Sequence, residues 1–212
     1  NRGAVSCWLR AHGLAETDED ENLERIRFHA DLLKQMMVYV DALVASAERK
    51  VDDHERAVRL AEASRICADE LSDFWTAIEL GCQALNANPV DQDYADRLVE
   101  YGEGMNGADG WLLISETFEA LASHGTQSDR FFLAAADAMS RVSGRSLDSF
   151  ELYAEAFKAS KGEFAIDALF RLSKDEDWWP ELEQLLAENL QALEVGEQAP
   201  RLRSFGDRYA EF

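Results

Sequence analysis

The stretch TAIELGCQALNANP, residues 76–89, decides the fold class of this chain. Its composition favours a helix, and the small residues Ala77 and Ala84 would let a second helix approach closely. The pair Asn88-Pro89 then ends the helix, because Asn tolerates a positive φ and Pro cannot continue a helix. The stretch therefore predicts a helix over 74–87 that is followed by a turn.

Similar helical segments and stop residues continue on both sides of this stretch. No run of alternating β-branched or aromatic residues indicates a strand, and the whole chain contains three prolines. Residues 22–47 carry one apolar stripe at helical spacing, which predicts a single long helix. Stop residues such as Gly125 and Ser143-Gly144 separate the further helices, which are predicted at 53–71, 92–105, 109–123, 127–142, 146–159, 163–173, 178–193 and 199–212.

Short connections between these helices predict a row of antiparallel helical hairpins. Residues 1–21 are expected to form a short helix and an acidic linker, ahead of an array over 22–212. The array would hold four to five hairpins, of which the last is incomplete. Alternate helices open on a bulky residue, with spacings of 36, 36 and 31 residues, at Trp75, Trp111, Leu147 and Trp178. A period near 34 with two helices per unit indicates a helical repeat protein.

These residues resemble the tetratricopeptide repeat family. Its second-helix pattern matches Ala77, Ala84 and Pro89, and its L-G-x-x-Y core resembles Phe205-Gly206-x-x-Tyr209. Partial matches elsewhere involve Leu98 and Tyr101; Gly144, Tyr153 and Ala156; and Leu169, Leu172 and Trp178. Small residues in these matches, Gly206 among them, are expected to allow close helix approach. A Sel1-like or another α-solenoid repeat is the alternative.

The resemblance implies an all-α, right-handed solenoid whose concave groove is lined by the first helix of each hairpin. Outward positions on those helices, which would contact an extended or helical peptide, are Arg59, Glu62, Asp69, Gln92, Arg141, Glu163 and Arg203. The alternative for each of them is an ordinary solvated surface residue. Because Phe212 stands where a turn and a partner helix would follow, we also expect a fragment of a longer array.

The net charge of −21 argues against nucleic acid and anionic membranes as partners, since both are bound by clustered Lys and Arg. A basic protein or peptide is compatible with this charge. The alternative is that the acidic surface only keeps the protein soluble. The oligomeric state is left open.

Residues 102–107, GEGMNG, match the dinucleotide-binding fingerprint G-x-G-x-x-G, but the preceding segment is helical where that site needs a strand. They are interpreted as a glycine-rich hairpin turn. Cys7, Cys67 and Cys82 have no CxxC spacing and are expected to be small buried residues. The four histidines form no metal pair. We therefore expect no catalytic residue, metal or cofactor.

The residues together favour a non-enzymatic scaffold for protein–protein interactions. The alternative is a structural spacer or regulatory arm of a larger multidomain enzyme. In Trp178-Trp179-Pro180, one Trp is expected to pack between hairpins while the other is exposed, with Pro180 in the first turn of a helix.

Overall fold

The computed structural model describes residues 19–105, 107–125, 127–160 and 164–211, so the predicted N-terminal helix lies outside the described residues. The described residues form eleven α-helices and no strand, which confirms the all-helical prediction. In chain order the helices are α1 (Glu19–Leu33), α2 (Met36–Arg49), α3 (Asp53–Asp69), α4 (Phe74–Ala87), α5 (Gln92–Met105), α6 (Ala108–His124), α7 (Ser128–Met139), α8 (Ser146–Ala159), α9 (Ile166–Glu176), α10 (Trp179–Ala192) and α11 (Val195–Glu211). Within this described part, no helix has the length and apolarity needed to span a membrane.

Local sequence signals account for several helix boundaries. Asp52 caps α3 by accepting a hydrogen bond from the Glu55 N–H at 2.9 Å, and Asp73 caps α4 in the same way. Pro180 lies in the first turn of α10, as predicted, where its missing N–H leaves no helical hydrogen bond unmade. Helices α4, α5 and α8 begin and end at the predicted residues.

The prediction of one long helix over 22–47 was wrong, because the chain breaks between α1 and α2. Lys34 adopts a positive φ of 52°. The Gln35 N–H then donates to the Ala30 carbonyl at 2.8 Å, which closes the end of α1. A helix that ends in this way usually has a glycine at the residue with positive φ. Because lysine stands there, the sequence gives no sign that the helix ends.

Other features also differ from the prediction. Helix α11 begins at Val195, so Pro200 lies inside the helix instead of in its first turn. Gly102 and Gly104 belong to the end of α5, so the predicted glycine-rich turn is shorter than GEGMNG. In α5, a Cβ on Gly104 would come within 2.6 Å of the Phe74 ring, so this glycine serves helix packing.

The chain divides into two compact units, Asn1–Leu113 and Ile114–Phe212. In the first unit, each helix from α1 to α5 packs on the next one along the chain. Helices α3 and α4 pack closely on each other, and the Ser64 hydroxyl donates to the Ala77 carbonyl at 2.6 Å. Gly81 lies beside this bond and receives the side chain of Leu98 from α5. Fully buried side chains complete this core, among them Ile26, Leu43, Ile66, Ile78 and Leu85.

Charged side chains tie α1 to the end of α2. The Glu19 carboxylate accepts from the Ser46 hydroxyl at 2.7 Å and pairs with Arg49 at 2.9 Å and with Lys50 at 2.7 Å. Burial acts to raise the pKa of Glu19, but the hydrogen bonds from Lys50, Ser46 and Arg49 outweigh it and lower the pKa to about 2. This carboxylate therefore remains ionised in the folded protein down to acidic pH.

In the second unit, α7 and α8 pack closely on each other. Hydroxyls of Ser115 and Ser149 donate to the Ala135 and Ala136 carbonyls of α7, at 2.9 and 3.1 Å. The Tyr153 hydroxyl donates to the Asp137 carboxylate at 2.6 Å. Aromatic and aliphatic side chains fill the core around these bonds, among them Phe118, Phe157, Phe170, Leu169 and Leu182.

The bulky residues that open alternate helices do not share one environment. Trp111 is buried, whereas Trp75 and Leu147 are exposed. Trp178 and Trp179 are both partly buried, which corrects the expectation that one of them is exposed. Trp178 packs edge-on against Phe150 at a ring distance of 5.4 Å, while Trp179 contacts rings on α9 and α11.

Gly206 does not have the role in close helix packing that was predicted for it. It is exposed on α11, and a Cβ placed on it would meet nothing within 4 Å. In contrast, Ala77, Ala84 and Ala156 are fully buried, as their predicted role requires.

Candidate functional site

A polar cleft of about 490 Å³ lies between α3 and α5 in the first unit. The turn at Asn88-Pro89 reverses the chain after α4 and brings α5 alongside α3. Residues of α5 that recur at helical spacing therefore share one face and form one wall. The cleft is lined by Arg65 and Asp69 of α3 and by Asp93, Asp96, Arg97, Glu100 and Tyr101 of α5.

Tyr101 forms a buried part of the cleft wall, with 6% of its surface exposed. Burial raises the pKa of its hydroxyl above the ordinary value; the nearby Arg97 opposes this shift and Asp69 reinforces it. The hydroxyl is therefore protonated at neutral pH.

Acidic groups outnumber basic groups in this cleft, with four carboxylates against two guanidinium groups. Arg65 lies 3.4 Å from Asp69 across one helical turn, so its charge is already partly neutralised. Asp96 accepts a hydrogen bond from the Gln92 amide at 2.8 Å, which leaves its negative charge in place. The cleft therefore presents a negative potential that would attract a cationic group.

One of the residues predicted to contact a partner lines this cleft, and a second contacts a lining residue. Asp69 lines it, and Gln92 orients Asp96 on its edge. Arg59 and Glu62 lie on the same helix as Asp69, but each is engaged within the chain. Arg59 pairs with Asp20 of α1. Glu62 accepts from the hydroxyl of Tyr39 at 2.8 Å and lies 3.6 Å from Arg27.

Two of the other predicted residues, Arg141 and Arg203, are not at the cleft. Arg141 lies in the turn between α7 and α8 and not on a helix, because α7 ends at Met139. Arg203 is exposed on α11. Both belong to the second unit, whereas the cleft belongs to the first. Glu163 lies outside the described residues.

Sequence reasoning missed most of the α5 wall, namely Asp93, Asp96, Arg97 and Glu100. A signal for them exists, since they recur at intervals of three and four residues on a predicted helix that also carries Tyr101. The sequence could place them on one face of α5. It could not indicate that this face lies opposite Asp69.

Two observations bear on metal binding and thiol chemistry among the described residues. Within them, no three His, Cys, Asp or Glu side chains are grouped so as to hold a metal ion. Burial raises the pKa of the Cys67 thiol to about 11, so this buried thiol is neutral and a poor nucleophile. Cys82 is buried too, as predicted, while Cys7 lies outside the described residues.

Comparison of the chain with protein-family models, with curated proteins and with solved structures gives no significant match.

Proposed function

We propose that this chain is a non-enzymatic scaffold for protein–protein interactions, and that the cleft between α3 and α5 binds a basic peptide segment of its partner. The observation that carries the proposal is the excess of carboxylates in a cleft bounded by two helices. Neutralising this excess with Lys or Arg from a partner gives both affinity and selectivity against acidic sequences.

The spacing of the carboxylates sets the kind of peptide. Asp93 and Glu100 are seven residues apart on α5, which corresponds to about 10 Å along a helix that rises about 1.5 Å per residue. A peptide in the polyproline II conformation rises about 3.1 Å per residue with three residues per turn, so it covers about 9 Å in three residues and presents residues three apart on one side. Two cationic side chains three positions apart therefore match the two ends of the wall.

We further propose that the hairpins within each unit stack in the manner of tetratricopeptide repeats. Pairwise packing of consecutive helices supports this arrangement, as does the cleft itself. In that family's geometry, α3 and α5 would be the first helices of neighbouring hairpins, and first helices line the ligand groove. The burial of Ala77 and Ala84 at their predicted positions is also consistent with it.

The test begins with selection from a random peptide library on the full chain, followed by affinity measurements on the selected peptides. We expect selected peptides to be enriched in Lys and Arg at a spacing of three. Glu100→Lys should weaken their binding about three- to tenfold, because each exposed charge pair contributes about 0.2–1 kcal/mol and reversal adds repulsion. Glu79→Lys, an equal charge change at an exposed site on α4, is the matched control and should leave affinity nearly unchanged.

Selected peptides without a basic excess would contradict the proposal, as would equal weakening by Glu100→Lys and Glu79→Lys. Failure to select any peptide would favour the alternative, a structural spacer or regulatory arm of a multidomain enzyme.

A further inference from the structure

A second concave site lies in the second unit, on one face of α10. Leu185, Glu188, Asn189 and Ala192 recur at helical spacing and form its wall. The site is completed by Lys158 at the end of α8 and by three residues at the passage from α10 to α11, Leu193, Glu194 and Glu197. We call this site the α10 pocket. Its volume of about 580 Å³ is within the range of about 300–1,000 Å³ that is usual for ligand sites.

The inner part of the α10 pocket is apolar. Leu185 is 6% exposed, and Leu193 is partly buried beside it. Ala192 leaves room above them because its side chain is a single methyl group. An aliphatic or aromatic side chain entering here would remove apolar surface from water on both molecules, which is the main driving force for such docking.

The rim of the α10 pocket is acidic. Glu188, Glu194 and Glu197 contribute three carboxylates. Lys158 is the one basic residue of the lining, and it already pairs with Glu155 at 2.9 Å. The Asn189 Oδ1 is buried and has no hydrogen-bond donor among the described residues. A purely apolar occupant would cover these carboxylates without a cationic partner, and an acidic occupant would be repelled.

We infer that the α10 pocket binds a basic amphipathic peptide of a protein partner, with one apolar side chain on Leu185 and Leu193. Lys or Arg residues on either side of that apolar anchor pair with the glutamates of the rim. This peptide fits because its basic residues complement the acidic rim while its apolar residue covers the apolar inner part. The inference is independent of the cleft between α3 and α5, because the two sites share no residue and no helix.

The test uses the ¹⁵N-labelled full chain and a synthetic 12-residue peptide of Leu and Lys, with Leu at helical spacing. A matched peptide carries Ala in place of Leu and has the same charge. We expect amide resonance changes centred on Leu185, Ala192 and Leu193. The Leu peptide should bind at least about tenfold more tightly, because burial of one large aliphatic side chain contributes about 1.5–3 kcal/mol.

Two variants separate the α10 pocket from the general acidity of the surface. Glu188→Lys should weaken binding of the Leu peptide about three- to tenfold, by loss of an attraction and gain of a repulsion. Glu151→Lys makes the same charge change at an exposed position of α8 outside the pocket lining and should have less than about a twofold effect. Equal affinity for the two peptides, or equal weakening by the two variants, would overturn the inference. Resonance changes confined to the cleft residues Asp96 to Tyr101 would also overturn it, while leaving the proposed function intact.

Discussion

Replacement of Gly81 by Ala tests whether the contact of α3, α4 and α5 is as close as the structure indicates. The added Cβ would lie 2.8 Å from the Cδ2 of Leu98 and 3.2 Å from the Oγ of Ser64. Optimal contacts between non-bonded carbon atoms are about 3.5–4.0 Å, so Leu98 would have to move by several tenths of an ångström. Leu98 is fully buried, and Ser64 is held by its bond to the Ala77 carbonyl, so neither side chain yields easily.

The expected magnitude is a balance of two effects. Overpacking of a core costs about 1–3 kcal/mol, whereas Ala in place of a helical Gly contributes about 1 kcal/mol of helix propensity. We therefore expect Gly81→Ala to lower the free energy of unfolding by about 1 kcal/mol. Gly206→Ala is the matched control, because it offers the same helix propensity in a site with nothing within 4 Å of the new Cβ. It should raise the free energy of unfolding by about 0.5–1 kcal/mol.

Urea unfolding followed by circular dichroism at 222 nm measures both changes. A Gly81→Ala variant that is as stable as Gly206→Ala would refute the reasoning, since the added methyl group would then meet no resistance. A second arm uses Leu98→Val, which removes the clashing methyl group and by itself costs about 1 kcal/mol. The double variant should lose less stability than the sum of the two single variants. Strict additivity would show that the predicted collision does not occur.

Three further outcomes follow from the charges. The depressed pKa of Glu19 stabilises the folded state fully above its ordinary value of 4.5, and this stabilisation is lost as the pH falls towards about 2. The difference in free energy of unfolding between the wild type and Glu19→Gln should thus be largest at neutral pH and vanish near pH 2. A difference that does not change with pH would contradict the pairing of Glu19 with Arg49 and Lys50. Burial and the hydrogen bond that it donates to Asp137 raise the pKa of Tyr153. The stability that this hydroxyl contributes to the folded state is therefore lost as the pH rises above 10. In the same unfolding assay, Tyr153→Phe should lower the free energy of unfolding by about 1 kcal/mol at pH 7 and by less above pH 10. Affinity of a selected basic peptide for the cleft should fall several-fold between 0.1 and 1 M NaCl, where the Debye length drops from about 10 to about 3 Å, and an affinity indifferent to salt would favour apolar docking.

Local chemistry explains why much of the helical pattern could be predicted. The stop at Asn88-Pro89 and the cap at Asp73 act within a few residues of the helix that they bound, so α4 begins and ends at the predicted residues. The small side chains of Ala77 and Ala84 also signal close packing, and both are fully buried.

The break at Lys34 shows where such local reasoning ends. Lysine is a good helix former, and the residues before and after it continue the same apolar spacing. A positive φ at a lysine is unfavourable by itself and persists because α2 buries its own face, including Tyr39 and Leu43, against other helices. Tertiary packing therefore overrides the local preference at this position.

For the candidate site, the sequence by itself determined that the chain is helical and acidic, and it predicted Asp69, which lines the cleft, as a residue that contacts a partner. It also carried Asp93, Asp96 and Glu100 on one face of α5, because helical spacing is a property of neighbouring residues. Only the tertiary structure decided which charges meet. It paired Arg59 and Glu62 with residues of α1 and α2 and set the α5 carboxylates opposite Asp69. The physical reason is that helix formation depends on contacts a few residues apart, whereas a cleft depends on the distance between helices that are far apart in the chain.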